Sequence, residues 1–213
     1  MADDDRTPSE TPDDLTPADA LERLRRGNRR FVSGDMERRD LMRQVRDTAE
    51  GQTPFATILG CIDSRVPPEL VFDQGIGDLF SVRIAGNFVN TDILGNLEFA
   101  TAVAGAKLVV VLGHTGCGAV QGAVDRIDLG HLTQALTHLA PAIEAVGEEV
   151  EGPRDSTNPR FLDAVARKNV ELTMAEIVER SAVIRNLVEW GEVAVTGALH
   201  DVGTGRVTFF ADA

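Results

Sequence analysis

Two short segments hold the side chains best suited to chemistry in this 213-residue chain. One is Cys61-Ile62-Asp63-Ser64-Arg65; the other is Gly113-His114-Thr115-Gly116-Cys117-Gly118. Two thiolates and one imidazole make a soft donor set suited to zinc, and three protein ligands leave a fourth position open, as in catalytic zinc sites. The spacing alone leaves other readings open, because an isolated H-x-x-C pair also arises by chance. Each cysteine can be a small buried hydrophobe, and His114 a hydrogen-bonded core histidine. A Cys117–His114 nucleophilic pair is a further alternative, but it leaves Cys61, Asp63 and Arg65 without a role. An arginine beside an aspartate keeps the carboxylate ionised and orients it. Asp63 can then accept a proton from metal-bound water or become a fourth ligand. The same pair can equally be a structural ion pair or part of a turn. The glycine-rich 113–118 segment lacks the Gly-Lys-Ser/Thr ending of a phosphate loop, and there is no C-x-x-C redox motif.

These residues need elements that bring them together across the 53 positions from Cys61 to His114. Phe55–Gly60 and Lys107–Leu112 are apolar runs without a helical period, and read as buried parallel strands. Leu79–Ile84 reads as a third strand. Both motifs then lie at carboxyl ends of parallel strands, the edge where open α/β sheets bind ligands. Around the strands, Thr16 caps a helix that starts at Pro17, runs through Phe31 and ends at Ser33-Gly34. A second helix is expected from Met36 to Ala49, and short ones at 67–72 and 116–125. Longer helical patterns cover 91–104, 132–146 and 161–190, the last broken near Ser181. Strands are expected at 192–198 and 207–210, with Gly203-Thr204-Gly205 turning between them. The fold class is α/β, with about four parallel strands and a C-terminal edge strand flanked by helices. Residues 1–14 are expected to form a disordered acidic tail, 15–50 a helical arm and 51–213 the α/β domain that carries both motifs.

Composition narrows the function classes. Hydrophobic residues make up 43% of the chain, enough for a core. No apolar run is long enough to span a bilayer, and the N-terminus lacks the pattern of a signal peptide, so a cytoplasmic location is expected. The net charge of −13 argues against nucleic acid and anionic membranes as partners. Lys107 and Lys168 are the only lysines. This acidity is either ordinary solubility charge or adaptation to a salty cytoplasm. A disulfide between Cys61 and Cys117 is not expected in that compartment. With no tyrosine, one common acid, base and substrate-holding hydroxyl is missing.

Taken together, Cys61-x-Asp63-Ser64-Arg65 and His114-x-x-Cys117-Gly118 resemble the two metal motifs of the β-class carbonic anhydrases. Val66-Pro67, Asp78-Leu79-Phe80, Val82-Arg83 and Ala85-Gly86-Asn87 fit the same pattern, and the similarity runs from about Thr16 to Phe210. The resemblance implies one Zn2+ held by Cys61, His114 and Cys117, with the Asp63–Arg65 dyad beside it. It implies a zinc-acidified water that attacks carbon dioxide to give bicarbonate and a proton. Gln52 and the Gly118 N–H would orient bicarbonate; Phe80, Ala85 and Phe99 would line the carbon dioxide pocket. At the position of Phe99, plant-type members carry tyrosine. Family members with an inhibitory bicarbonate pocket build it from a tryptophan, an arginine and a tyrosine. Those positions correspond here to Ile58, Arg83 and His200, so no such pocket is expected. His200 itself is expected to be a partly exposed strand-end histidine, with a proton relay as the alternative. His131 and His138 read as surface helix residues. The family also implies that helix 16–33 reaches over a partner, with the active site at the interface of a homodimer or dimer of dimers. Two rival functions remain: hydrolysis of carbonyl sulfide or carbon disulfide in the same scaffold, and a non-catalytic zinc-stabilised binding protein.

Overall fold

The computed structural model describes residues 15–147 and 150–210. The expected acidic tail, 1–14, lies outside the described residues. The centre is a sheet in the order β2-β1-β3-β4-β5. Its strands are β1 (Ala56–Gly60), β2 (Leu79–Arg83), β3 (Leu108–His114), β4 (Ala194–His200) and β5 (Val207–Phe209). The first four in that spatial order are mutually parallel, and β5 returns antiparallel to β4. This is the α/β arrangement expected from the sequence. β1 and β3 are buried along their whole length, which explains why they read as continuous apolar runs.

Alternate residues of these strands feed opposite faces. Ile58, Leu108, Val110 and Leu112 pack with Ala20, Leu21 and Leu24 of α1 (Pro17–Ser33) and with Phe72, which follows α3 (Pro68–Val71). Leu59, Val109 and Val111 face α4 (Thr91–Glu98), α8 (Pro159–Arg180) and α9 (Ala182–Glu189). A third cluster, at the carboxyl edge of the strands, joins Cys61 and Cys117 to Val66, Val120, Leu139 and Phe161.

The first helix, expected to reach over a partner, packs against its own chain: α1 buries its apolar stripe, Ala20, Leu21 and Leu24, on that chain's sheet. The reason is local: α3 is only 4 residues long and leaves that face uncovered. The contact is tight, since a Cβ at Gly27 would stand 1.7 Å from the Phe72 carbonyl oxygen. The ends of α1 follow the sequence: Thr16 and Asp19 form a capping box, and Gly34 closes the helix at φ +81°.

Three other helices differ from expectation. The second is shorter, α2 (Leu41–Asp47), capped by Asp40. The segment before it is held by the fully buried carboxylate of Asp73, which accepts from Arg30, Arg39 and the Glu37 N–H. The pattern at 91–104 becomes α4 followed by a π-helical turn, Phe99–Val103, in which the Thr101 hydroxyl donates to the Leu97 carbonyl at 2.8 Å. The pattern at 132–146 is interrupted. It runs as α6 (Gly130–Leu136), a 3-10 turn (Thr137–Leu139) and α7 (Ala140–Val146), whose first turn contains Pro141. Ser181 breaks the C-terminal helical pattern as expected, capping α9 through its side chain.

Candidate metal centre

β1 stops at Gly60, and β3 runs two residues past the point where it pairs with Gly60, because Gly60 stands opposite Leu112. Cys61 therefore emerges beside the last residues of β3, where His114 stands. Gly116, at φ +60°, turns the chain so that Cys117 caps α5 (Gly118–Val124). The result is a group of three buried side chains whose ligand atoms all lie within 4.8 Å of one another. The two sulfurs are 3.9 Å apart. Two thiolates about 2.3 Å from one tetrahedral ion would stand about 3.8 Å apart, so the sulfur spacing fits zinc.

The histidine fits as well. Its Nδ1 is 3.0 Å from the Thr115 carbonyl, an interaction that places the proton there. Nε2 is then an acceptor, buried and without a protein partner. An orphaned imidazole nitrogen beside two thiols, with its tautomer set by a backbone carbonyl, is the arrangement of a metal ligand.

The sulfurs supply a third test. The Cys117 thiol donating to Cys61 draws Cys61 down to about 4 against the opposing effect of burial, with the Gly86 N–H, 3.4 Å from the sulfur, adding to it. Cys117 is pushed up by that same hydrogen bond, by burial and by the negative charge on Cys61. The pair shares one proton, and a divalent cation is what would let both sulfurs be thiolates.

Asp63 turns toward Arg65 instead of joining the three. Its carboxylate accepts from the Arg65 backbone N–H at 2.9 Å, from Nε at 2.9 Å and from a terminal nitrogen at 2.7 Å. These bonds, led by the guanidinium, hold Asp63 well below the usual carboxylate range. Arg65 also donates to the Gly116 carbonyl at 3.2 Å, which ties the Cys61 turn to the His114–Cys117 turn.

With this geometry in view, comparison with known proteins is specific. The carbonic anhydrase family profile matches residues 56–207. Carbonic anhydrase 2 of Mycobacterium tuberculosis is 37% identical over 192 residues, covering 89% of this chain and 91% of that protein. The carbonic anhydrase of Mycolicibacterium smegmatis is 34% identical, covering 90% and 92%. Among solved structures, a tetrameric β-carbonic anhydrase from Sordaria macrospora superposes with a TM-score of 0.70 at 27% identity, over 80% of this chain and 90% of that one. This chain is a β-class carbonic anhydrase.

Within this β-carbonic anhydrase fold, the residues expected to form the site fall into two groups. Ala85 and Gly118 lie with the ligands: Ala85 precedes Gly86, whose N–H points at Cys61 Sγ, and Gly118 is the exposed first residue of α5. Gln52, Phe80 and Phe99 do not. Gln52 precedes β1 and Cys61 follows it. From Phe55 to Cys61 the chain runs about 20 Å at about 3.3 Å per residue. Gln52 is exposed in a hollow of about 440 Å³ with Thr48, Glu50 and Ile76. Phe80 and Phe99 meet edge to face, 6.1 Å between ring centres. They line a second hollow, of about 390 Å³, with Ile93 and Asn96.

Other residues emerge only from the structure. Asn169, buried in α8, donates to the Gly86 carbonyl at 2.8 Å and so steadies the turn that addresses Cys61. Its signal in the sequence is a polar residue inside the apolar stripe Val165, Ala166, Val170. His200 is 2% exposed, not a partly exposed strand-end residue, because it continues the β3–β4 ladder opposite His114. His138 stacks on Phe88 at 4.2 Å between ring centres, in the 3-10 turn, and His131 is exposed. Ile58 is fully buried under α1.

Proposed function

We propose that this chain catalyses the reversible hydration of carbon dioxide to bicarbonate and a proton, using zinc held by Cys61, His114 and Cys117. The observation that carries the reading is the buried trio of ligand atoms within 4.8 Å, with the imidazole Nε2 unpartnered. Bound there, zinc supplies the Lewis acidity that brings the pKa of a water down toward about 7.

The remaining work falls to the chain itself. Asp63, kept ionised by Arg65, accepts a hydrogen bond from the reacting water and fixes its orientation. An apolar wall of Phe80, Phe99 and Ala85 suits carbon dioxide, which has no net dipole, and keeps bulk water out. As the product forms, the Gln52 amide and the Gly118 N–H donate to its oxygens. The released proton passes to solvent. Because Gln52, Phe80 and Phe99 lie apart from the ligands of their own chain, a second copy supplies them. The catalytic unit is a homodimer, alone or within a dimer of dimers, and this reading is supported by the tetrameric structure of the Sordaria macrospora relative.

The same reading places the enzyme in the cytoplasm. In the described residues no helix is long and apolar enough to cross a membrane. The net charge of −13 suits a salt-rich interior, where screening tolerates dense carboxylates.

Stopped-flow hydration of carbon dioxide, with zinc measured on the same sample, tests the function. Turnover is expected to scale with zinc content, and both are expected to vanish in Cys117→Ser. Protein carrying one zinc per chain but no hydration activity would overturn the proposal.

A further inference from the structure

Arg83 ends β2, the edge strand of the sheet, level with Gly60 across the ladder. From there its half-buried guanidinium reaches into the Cys61 turn. Nε donates to the Cys61 carbonyl at 2.8 Å, and a terminal nitrogen donates to the Asp63 carbonyl at 2.6 Å. One planar group with fixed donor spacing therefore grips both ends of the 61–63 turn. The middle of the turn points outward, with Ile62 61% exposed.

This grip bears on where the Asp63 carboxylate points. A carboxylate two residues beyond a metal ligand can swing onto the same ion and fill its fourth position. Arg65 holds the carboxylate away, but it belongs to the same segment, is 52% exposed at its side chain and moves with the turn. Arg83 is anchored in the sheet. We propose that Arg83 is a positioning residue: by holding the Cys61 and Asp63 carbonyls it keeps the Asp63 carboxylate on Arg65 and off the metal, leaving the fourth position to substrate. The proposal rests on the metal-centre reading above and deepens it.

Cobalt-substituted protein tests it without recourse to turnover. Thiocyanate entering the fourth position changes the visible bands of the ion, so its affinity reports how available that position is. Arg83→Met keeps the apolar stem and removes the donors. It is expected to retain metal but to bind thiocyanate about tenfold or more weakly, the scale of one charge-assisted hydrogen bond. In Arg83→Met/Asp63→Asn the competing carboxylate is gone, and affinity is expected to return to that of Asp63→Asn alone. Unchanged affinity in Arg83→Met would overturn the proposal. So would a double variant as weak as Arg83→Met, because the loss would then not run through Asp63. If Arg83→Met does not fold, Arg83→Lys takes its place, since it keeps the charge but cannot span two carbonyls. Unchanged affinity in that variant, or no recovery when Asp63→Asn is added to it, would overturn the proposal in the same way. Wild-type protein that takes up no cobalt would instead remove the metal-centre reading, and this proposal with it.

Discussion

The proposed division of the site between two ends of the sheet makes a sharp prediction about mixed dimers. Take one variant that cannot hold metal, Cys117→Ser, and one that cannot orient bicarbonate, Gln52→Ala. Alone, the first is inactive. The second loses a hydrogen bond to a charged product, about 1.5–3 kcal/mol, or roughly tenfold to a hundredfold in rate. About 20 Å of β1 separates the two positions within a chain, so on the proposed reading each active site draws its ligands from one chain and its glutamine from the other. In a mixed dimer one site carries both lesions and the other carries neither. Random pairing of equal amounts makes about half the dimers mixed, so about a quarter of all sites are intact. Unfolding the two variants together, refolding them with zinc and measuring carbon dioxide hydration should therefore recover about a quarter of wild-type turnover. If Gln52 and the ligands of one chain instead serve the same site, no mixture contains an intact site. Activity would then stay at the mean of the two parents. Such a result, with light scattering confirming dimers, would refute the shared site.

Further predictions concern the dyad, the ligand turn and the base of α1. Asp63→Asn should keep one zinc per chain while hydration falls about a hundredfold or more, the range for loss of an oriented proton acceptor; full activity would refute the assigned role. Gly86→Ala forces a side chain into φ +84° and brings its Cβ to 2.9 Å from Leu139, so zinc affinity, measured against a chelator, should fall about tenfold as the N–H bond to Cys61 loosens. Asp73→Asn leaves Arg30 and Arg39 facing a neutral group and should cost about 3 kcal/mol in urea unfolding at neutral pH. Burial pushes Asp73 up, but the hydrogen bonds from Arg30 and Arg39 outweigh it and hold it below its ordinary value. Its contribution is therefore present above pH of about 4 and lost as pH falls through the lower folded value. The wild type and Asp73→Asn should then converge in acid; a gap that persists there would refute the ion-pair account.

Elements whose causes are local could be read from the sequence. α1 carries its own start and stop in Thr16, Pro17, Asp19 and Gly34. β1 and β3 are apolar because they are buried on both faces, and Ser181 breaks the last helices by capping the second of them. Elements fixed by distant partners could not. The second helix starts late because Asp73, 34 residues beyond Arg39, pins the segment before it. The π turn at Phe99 places that ring against Phe80, on a strand 19 residues earlier, and no local period encodes this. His200 is buried because β4 extends beside β3 as far as His114, whereas the strand expected from the sequence stops at Ala198.

The site divides along the same line. Residue types and spacing singled out Cys61, His114, Cys117, Asp63 and Arg65, since each motif lies at the end of a strand or in the turn that follows it. The grip of Arg83 on two carbonyls was not legible, because side-chain type does not tell which backbone oxygens a guanidinium will meet. Gln52 is different. Nine residues before Cys61 sounds close, yet those positions enclose a strand that its apolar run alone reveals. A strand traversed end to end carries its flanking residues to opposite edges of the sheet. If Gln52 orients bicarbonate, as proposed, a glutamine and a cysteine on either side of one buried strand would serve the same small ligand only with a second copy of the chain.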